Sequence, residues 1–341
     1  MLITKLFRCC MLLLLLAMGS TANSAVLKIA TLTPDGSVWM QKLRAGADEV
    51  ERRTEGRIKI KFYPGGVMGD DNSVLRKIHI GQLQGAILTG GALQSVYPDS
   101  QVYNFPLLFK SYDEVDYVRQ HLDTVLAKGF EAGGFVTYGF AEAGLAYPMT
   151  KGNPIRVPSD FASHKVWAPN DDPLSVVVFS TIQVTPIPLG LPDVLAGLQT
   201  NLIDTITSPP VPALVMQWHS QVKSVTDAPL SYIFGLMAID KKVVASLPAA
   251  DQAVLHDVMA ATFHDIDQQN RADNINALAA LEKQGITLIH LSDNERRTWS
   301  ELGEKTHASL IEKGIASRDI YQRAETLLRE FRQGKPAVKA K

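Results

Sequence analysis

The residues that could do covalent chemistry are scattered in this chain. Histidines stand at 79, 121, 164, 219, 256, 264, 290 and 307, and none falls in the His-Glu-x-x-His spacing that sets two imidazoles on one helix face for zinc. No Gly-x-Ser-x-Gly turn presents a serine nucleophile. No Gly-x-x-x-x-Gly-Lys-[Ser/Thr] loop cradles a nucleotide phosphate. Asp171 and Asp172 are neighbouring acids, but adjacent residues on a strand point to opposite faces. No nucleophile, base and orienter come together, so catalysis, a cofactor and a metal centre are not expected. What remains is non-covalent chemistry: apolar and aromatic surface with a few polar groups, the make-up of a binding site.

The first residues suggest a compartment. Lys5 and Arg8 form a basic start, Met11 to Met18 an apolar run, and Ala22 to Ala25 a stretch of small residues. That is the pattern of an export signal over residues 1–25, with the mature chain beginning near Ala25 or Val26 in the periplasm. Both cysteines, Cys9 and Cys10, lie inside it, so the mature chain has no thiol chemistry and no disulfide. Loss of Lys5 and Arg8 leaves 32 basic against 35 acidic residues, a net charge of −3. No basic face for nucleic acid is visible; the basic residues from Lys335 to Lys341 read as a flexible tail over 334–341. A hydrophobic share of 46% supplies ample core, and a chain this long usually divides it between two lobes. A monomer is the default.

Periodicity places the elements. An apolar strand over Val26–Thr31 leads to a helix capped by Ser37 and running to about Thr54. A strand over Arg57–Tyr63 stops at Pro64-Gly65-Gly66, and a helix over Asp71–Ile80 ends at Gly81. Strands over Gln84–Leu88 and Phe135–Ala141 flank a helix opened by the Ser111/Glu114 pair and closed near Gly133. From Pro248 to about Gln284 an apolar stripe through Val254, Leu255, Val258, Met259, Phe263 and Ile266 predicts one helix of about 50 Å, long enough to cross two lobes or to bend between them. A strand over Ile286–Leu291 and a second capping pair, Ser292 and Glu295, follow. Strands alternating with helices indicate an α/β protein with parallel pairing and right-handed crossovers.

Several motifs then fall in a familiar order: Phe62 to Gly69, Ile80 to Gln84, Asn104-Phe105-Pro106-Leu107-Leu108-Phe109, Asn153 to Trp167, and Ala196-Gly197-Leu198-Gln199-Thr200 through Asp204. Together they resemble the solute-binding proteins of TRAP transporters, of the C4-dicarboxylate-binding type, over nearly the whole mature chain. The resemblance implies a two-lobe periplasmic-binding-protein fold with hinge strands and a long inter-lobe helix. One lobe would hold 26–150 plus about 238–285, the other 151–237 plus about 286–333. It also implies a small organic solute closed between the lobes and delivered to integral-membrane permease subunits. The same fold serving an ABC importer or a ligand sensor, or a periplasmic enzyme, are the alternatives.

The departures from the family pattern concern the ligand. Trp167 stands where the family carries its carboxylate-binding arginine, and Ala146 where a second arginine is common. Leu195 replaces a family aromatic, and Ser208 an asparagine. Losing a bidentate guanidinium removes charge-assisted bonds of about 1.5–3 kcal/mol each, so an aromatic, aliphatic or cationic solute is expected rather than a dicarboxylate. By the resemblance, Trp167, Glu142, Ala146, Asp193, Ser208, Trp39, Gly91 and Asn170 form the binding site, with Arg44 or Lys151 as substitutes should a carboxylate be bound after all. Each has a plain structural reading beside it. Trp167 and Trp39 suit a core as well as a pocket, Asp193 suits a helix start, and Glu142 an exposed strand end. Trp218 and His219 read as packing.

Overall fold

The computed structural model describes residues 24–170 and 172–334. The expected export signal (save Ser24 and Ala25), the tail beyond Gly334 and Asp171 lie outside them. The chain opens with β1 (Ala25–Thr31), α1 (Val38–Arg53), β2 (Ile58–Tyr63), α2 (Asp71–His79) and β3 (Gly85–Thr89). Ser37 caps α1 by accepting from the Met40 N–H, and Gly81 takes the left-handed turn after α2 at φ +76°. Strand β1 sits between β2 and β3 and is parallel to both, as the alternation predicted.

Helix α3 (Tyr112–Ala132) leads into β4 (Phe135–Thr150), far longer than the expected seven residues. Next come β5 (Trp167–Pro169), α4 (Pro173–Thr181), β6 (Ile187–Leu189), α5 (Val194–Gln199), β7 (Thr205–Ser208), α6 (Pro210–Val215) and β8 (Ser224–Thr226). Then follow β9 (Ser231–Asp240), α7 (Lys241–Ala245), α8 (Ala249–Lys283), β10 (Thr287–Ile289), α9 (Asp293–Glu312) and α10 (Arg318–Arg332). The main sheet runs β10-β8-β4-β9-β3-β1-β2, with β7 also on β4. Strand β4 joins its two halves. Residues Phe135 to Ala146 pair antiparallel with β9, and Tyr147 to Thr150 pair with β7 and β8. These antiparallel pairings were not foreseen.

The core is divided accordingly. Leu27, Met40, Leu43, Met237 and Phe263 pack on one face of the first half-sheet, and Val118, Leu126, Phe130, Phe140 and Phe234 on the other. The second half has its own clusters around Met149, Trp167, Ile206 and Trp218 and around Phe161, Phe179 and Trp299. Helix α8 contributes to both halves: Leu255, Val258 and Phe263 to the first, Leu281 to the second. Helix α10 departs from the expected division. Ile320, Ala324 and Leu328 bury their side chains in the first half's core, packed on α3, rather than closing the second lobe.

The middle of α8 grips a bulge in β4. The β4–β9 register slips between Glu142 and Gly144, which leaves backbone groups without ladder partners. Asp267 accepts the Glu142 N–H at 2.6 Å; Asn270 donates to the Glu142 and Ala143 carbonyls at 2.6 and 2.9 Å; Asn274 donates to Ala143 at 3.0 Å. These spacings of three and four residues put all three side chains on one helix face, which explains why polar residues continue the apolar stripe there. Gly144 sits in the bulge at φ +118°, and a Cβ there would fall 2.5 Å from Asn274 Nδ2 and 2.8 Å from the Tyr112 hydroxyl. Gly144→Ala is therefore expected to cost about 1–3 kcal/mol, read from urea unfolding. A variant as stable as the parent would refute the tight fit.

Candidate functional site

A cavity of about 350 Å³ opens between the two half-sheets. From the first half it is walled by the turn after β1, by Trp39, by Asp70 to Asn72 at the head of α2, by the end of β3 through Gly91, and by Asn104. The second half supplies Trp167, Asn170, Asp172, Phe179, Thr207, Ser208 and Trp218, and β9 supplies Ile233 and Phe234. Most of the wall is apolar. Of the expected site residues, Trp167, Ser208, Trp39, Gly91 and Asn170 line it; Glu142, Ala146 and Asp193 do not.

Alternation along β4 accounts for Glu142. Ala143 turns to the cavity, so Glu142 faces the opposite way, toward α3 and α8. It is fully buried rather than exposed. Arg271 donates to both its carboxylate oxygens at 2.8–3.1 Å, and the Tyr232 hydroxyl donates at 3.1 Å. Arg271 also pairs with Asp116. Burial pushes the Glu142 carboxyl above its ordinary range, and the guanidinium opposes that. Glu142 is thus part of the clamp on the β4 bulge. Ala146 is enclosed in the sheet, its carbonyl accepting from the Leu230 N–H at 2.8 Å. Asp193 is exposed beside α5 and makes no side-chain cap.

Trp167 is both core and wall. It is 7% exposed, packs edge-to-face on Trp218 at 5.5 Å, and donates its indole N–H to the Leu189 carbonyl at 3.1 Å. The donor is consumed inside the protein, so the cavity meets only its π surface. Trp39 donates to Asn270 at 3.4 Å, tying α1 to α8 beside the bulge. Trp218, which the sequence presented as packing alone, also reaches the cavity.

Beyond Asn170 and Ser208, sequence reasoning missed the cavity's polar groups. Asp71, Asp172, Asn104 and Thr207 line it, together with Asp70. Asp71 accepts from the Thr89 backbone N–H at 3.0 Å and hydroxyl at 2.6 Å. Burial pushes the Asp71 and Asp172 carboxyls upward. A signal was present for Asn104, which opens the Asn-Phe-Pro turn, and for Asp70 and Asp71, which follow the Gly65–Gly69 turn. No arginine, lysine or histidine is found among the described lining residues. Arg44 pairs with Asp35, and Lys151 donates to Asn201 and Leu198, so neither serves the cavity. No group of three or more His, Cys, Asp or Glu suited to a metal occurs among the described residues, and none of their helices is long and apolar enough to cross a membrane.

Two half-sheets joined through the long strand β4, a helix across both, and a cleft between them have the architecture of a two-lobe solute-binding receptor. Residues 29–313 match the family of bacterial extracellular solute-binding proteins, family 7 (DctP), and the chain belongs to that family. It is 25% identical over 311 residues to the C4-dicarboxylate-binding periplasmic protein DctP of Rhodobacter capsulatus, covering 88% of this chain and 90% of that one. It is 24% identical over 311 residues to the ectoine/5-hydroxyectoine-binding periplasmic protein UehA of Ruegeria pomeroyi, covering 87% and 88%. Its fold matches a TRAP periplasmic solute-binding protein of Ralstonia eutropha with bound (S)-2-acetolactate (TM-score 0.83, 20% identity, 89% and 99% covered). A counterpart from Sulfurospirillum deleyianum with bound succinate is also similar (TM-score 0.80, 16% identity, 89% and 98% covered). The chain is accordingly a substrate-binding receptor of the TRAP type.

Proposed function

We propose that this protein is exported, its leader cleaved, to the periplasm, where as a monomer it captures a small organic solute in the cleft and hands it to the membrane subunits of a TRAP permease. The observation that carries this reading is a cavity walled from both halves of the molecule. A ligand touching both walls favours the closed arrangement by the contacts made only there. The lobe boundary falls where β4 exchanges β9 for β7 and β8.

The solute differs from those bound in the similar structures. Succinate and acetolactate are carboxylates, and this cavity offers them no guanidinium or ammonium among its described residues. Trp167 supplies a π face in the place of the family's arginine. Calorimetric titration with succinate and with malate should therefore give no saturable heat. The solute that does bind should raise the melting temperature by mass action and reduce the radius of gyration in small-angle scattering. Tight succinate binding, or a bound solute that leaves the radius unchanged, would overturn this reading.

A further inference from the structure

The cavity holds an unusual set of unsatisfied atoms. Asp172 Oδ1, Asn104 Oδ1 and Thr207 Oγ are buried without a hydrogen-bond partner, and all three residues line the cleft. Asp172 Oδ2 is already used, accepting from the Ser175 hydroxyl, and Asn104 donates its amide N–H to Gln101 at 3.2 Å. What is left over is therefore oxygen: two pure acceptors and a hydroxyl. Asp70 and Asp71 add further acidic character, and no lining cation among the described residues balances it. A buried acceptor without a partner is costly, and a ligand that brings hydrogen-bond donors relieves that cost here. A carboxylate would add a second unpaired charge to the same site.

The placement of Asp172 suits an anchor. It precedes α4 in the second half, and its Oδ1 lies 3.5 Å from where a Cβ on Gly91, in the first half, would stand. The missing side chain at Gly91 leaves the carboxylate facing the opposite wall across the cleft. Around it stand Trp167, Phe179, Trp218, Ile233 and Phe234, an apolar and aromatic enclosure. Resting on the cleft-receptor reading above, we propose that the solute carries a protonated nitrogen on an apolar or aromatic body. Asp172 accepts from that nitrogen, and the rings of Trp167 and Trp218 enclose the body.

The test uses shape-matched pairs that differ only in head-group charge: 2-phenylethylamine against 3-phenylpropionate, and cyclohexylmethylamine against cyclohexylacetate. Each is titrated into the full protein after unfolding and refolding to strip any co-purified solute. The amines should bind at least tenfold more tightly than their partners, the scale of one charge-assisted hydrogen bond. Asp172→Asn should lower amine affinity by tenfold or more. It should leave the melting temperature of the free protein unchanged or higher, because a buried unpaired charge is removed. Gly91→Leu, which fills the gap before Asp172, should abolish binding of all four. Tighter binding of the carboxylates, no measurable binding of either amine, or undiminished amine binding in Asp172→Asn would overturn the proposal. The cleft reading has its own arm. Carboxylates that bind more tightly than the amines, and are lost in Gly91→Leu, leave it standing while refuting the charge assignment, whereas amine binding that survives Gly91→Leu refutes the cleft itself.

Discussion

Replacing Arg271 with methionine is expected to destabilise the protein by about 3–5 kcal/mol near neutral pH, since one partner of a buried pair is removed and the other stays buried. Glu142 has no exposed side-chain surface, and its remaining partner would be the Tyr232 hydroxyl. Its carboxyl already lies above the ordinary range because of burial, and loss of the guanidinium pushes it higher. The sign of the pH dependence follows. An acid that holds its proton more tightly folded than unfolded destabilises the fold as pH rises through the folded value. The deficit of Arg271→Met should accordingly be smallest at mildly acidic pH and grow toward alkaline pH. Urea unfolding across that range checks it. Adding Glu142→Gln to Arg271→Met should recover much of the loss and flatten the pH dependence. An equal deficit at every pH, or no recovery in the double variant, would show that Arg271 acts through packing alone.

Trp167→Ala is expected to cost about 3–5 kcal/mol of stability in the ligand-free protein, the scale of a large aromatic removed from a core. The indole fills the space among Val194, Leu198, Ile206 and Trp218 and satisfies the Leu189 carbonyl. At 7% exposure the side chain cannot be removed without opening the core around it. Trp167→Phe keeps an aromatic face and most of the volume, so it separates the two roles. It should retain most of the stability while shifting ligand affinity through the changed wall. Thermal unfolding and calorimetry on both variants decide. An unchanged unfolding midpoint in Trp167→Ala would place the indole outside the core.

Both predictions turn on residues whose importance was only half legible. The stripe from Val254 to Ile266 announced α8, because apolar periodicity survives without tertiary context. Its polar continuation at Asp267, Asn270, Arg271 and Asn274 did not announce a clamp, because those side chains satisfy backbone groups and, for Arg271, the Glu142 carboxylate, more than 120 residues away in sequence. Glu142 was noticed for the right motif and given the wrong surroundings. A strand's two faces are equivalent until the neighbours of each are known. Asp172 was set aside as one of two adjacent acids, a sound argument against a carboxylate pair that says nothing about a single buried acceptor.

Residue types and their spacing were enough for the family, the alternating order of strands and helices, the caps at Ser37 and Ser292, and the absence of an arginine at positions 146 and 167. These are local properties, carried by residue type and spacing. Tertiary structure decided that β4 runs on through both half-sheets, that α10 returns to the first, and that Trp167 closes a core while walling a cavity. It also decided which acids face the cleft. Burial and the hydrogen-bond partners left to each oxygen are set by chain segments distant in sequence, and those partners distinguish a structural carboxylate such as Glu142 from an unsatisfied one such as Asp172.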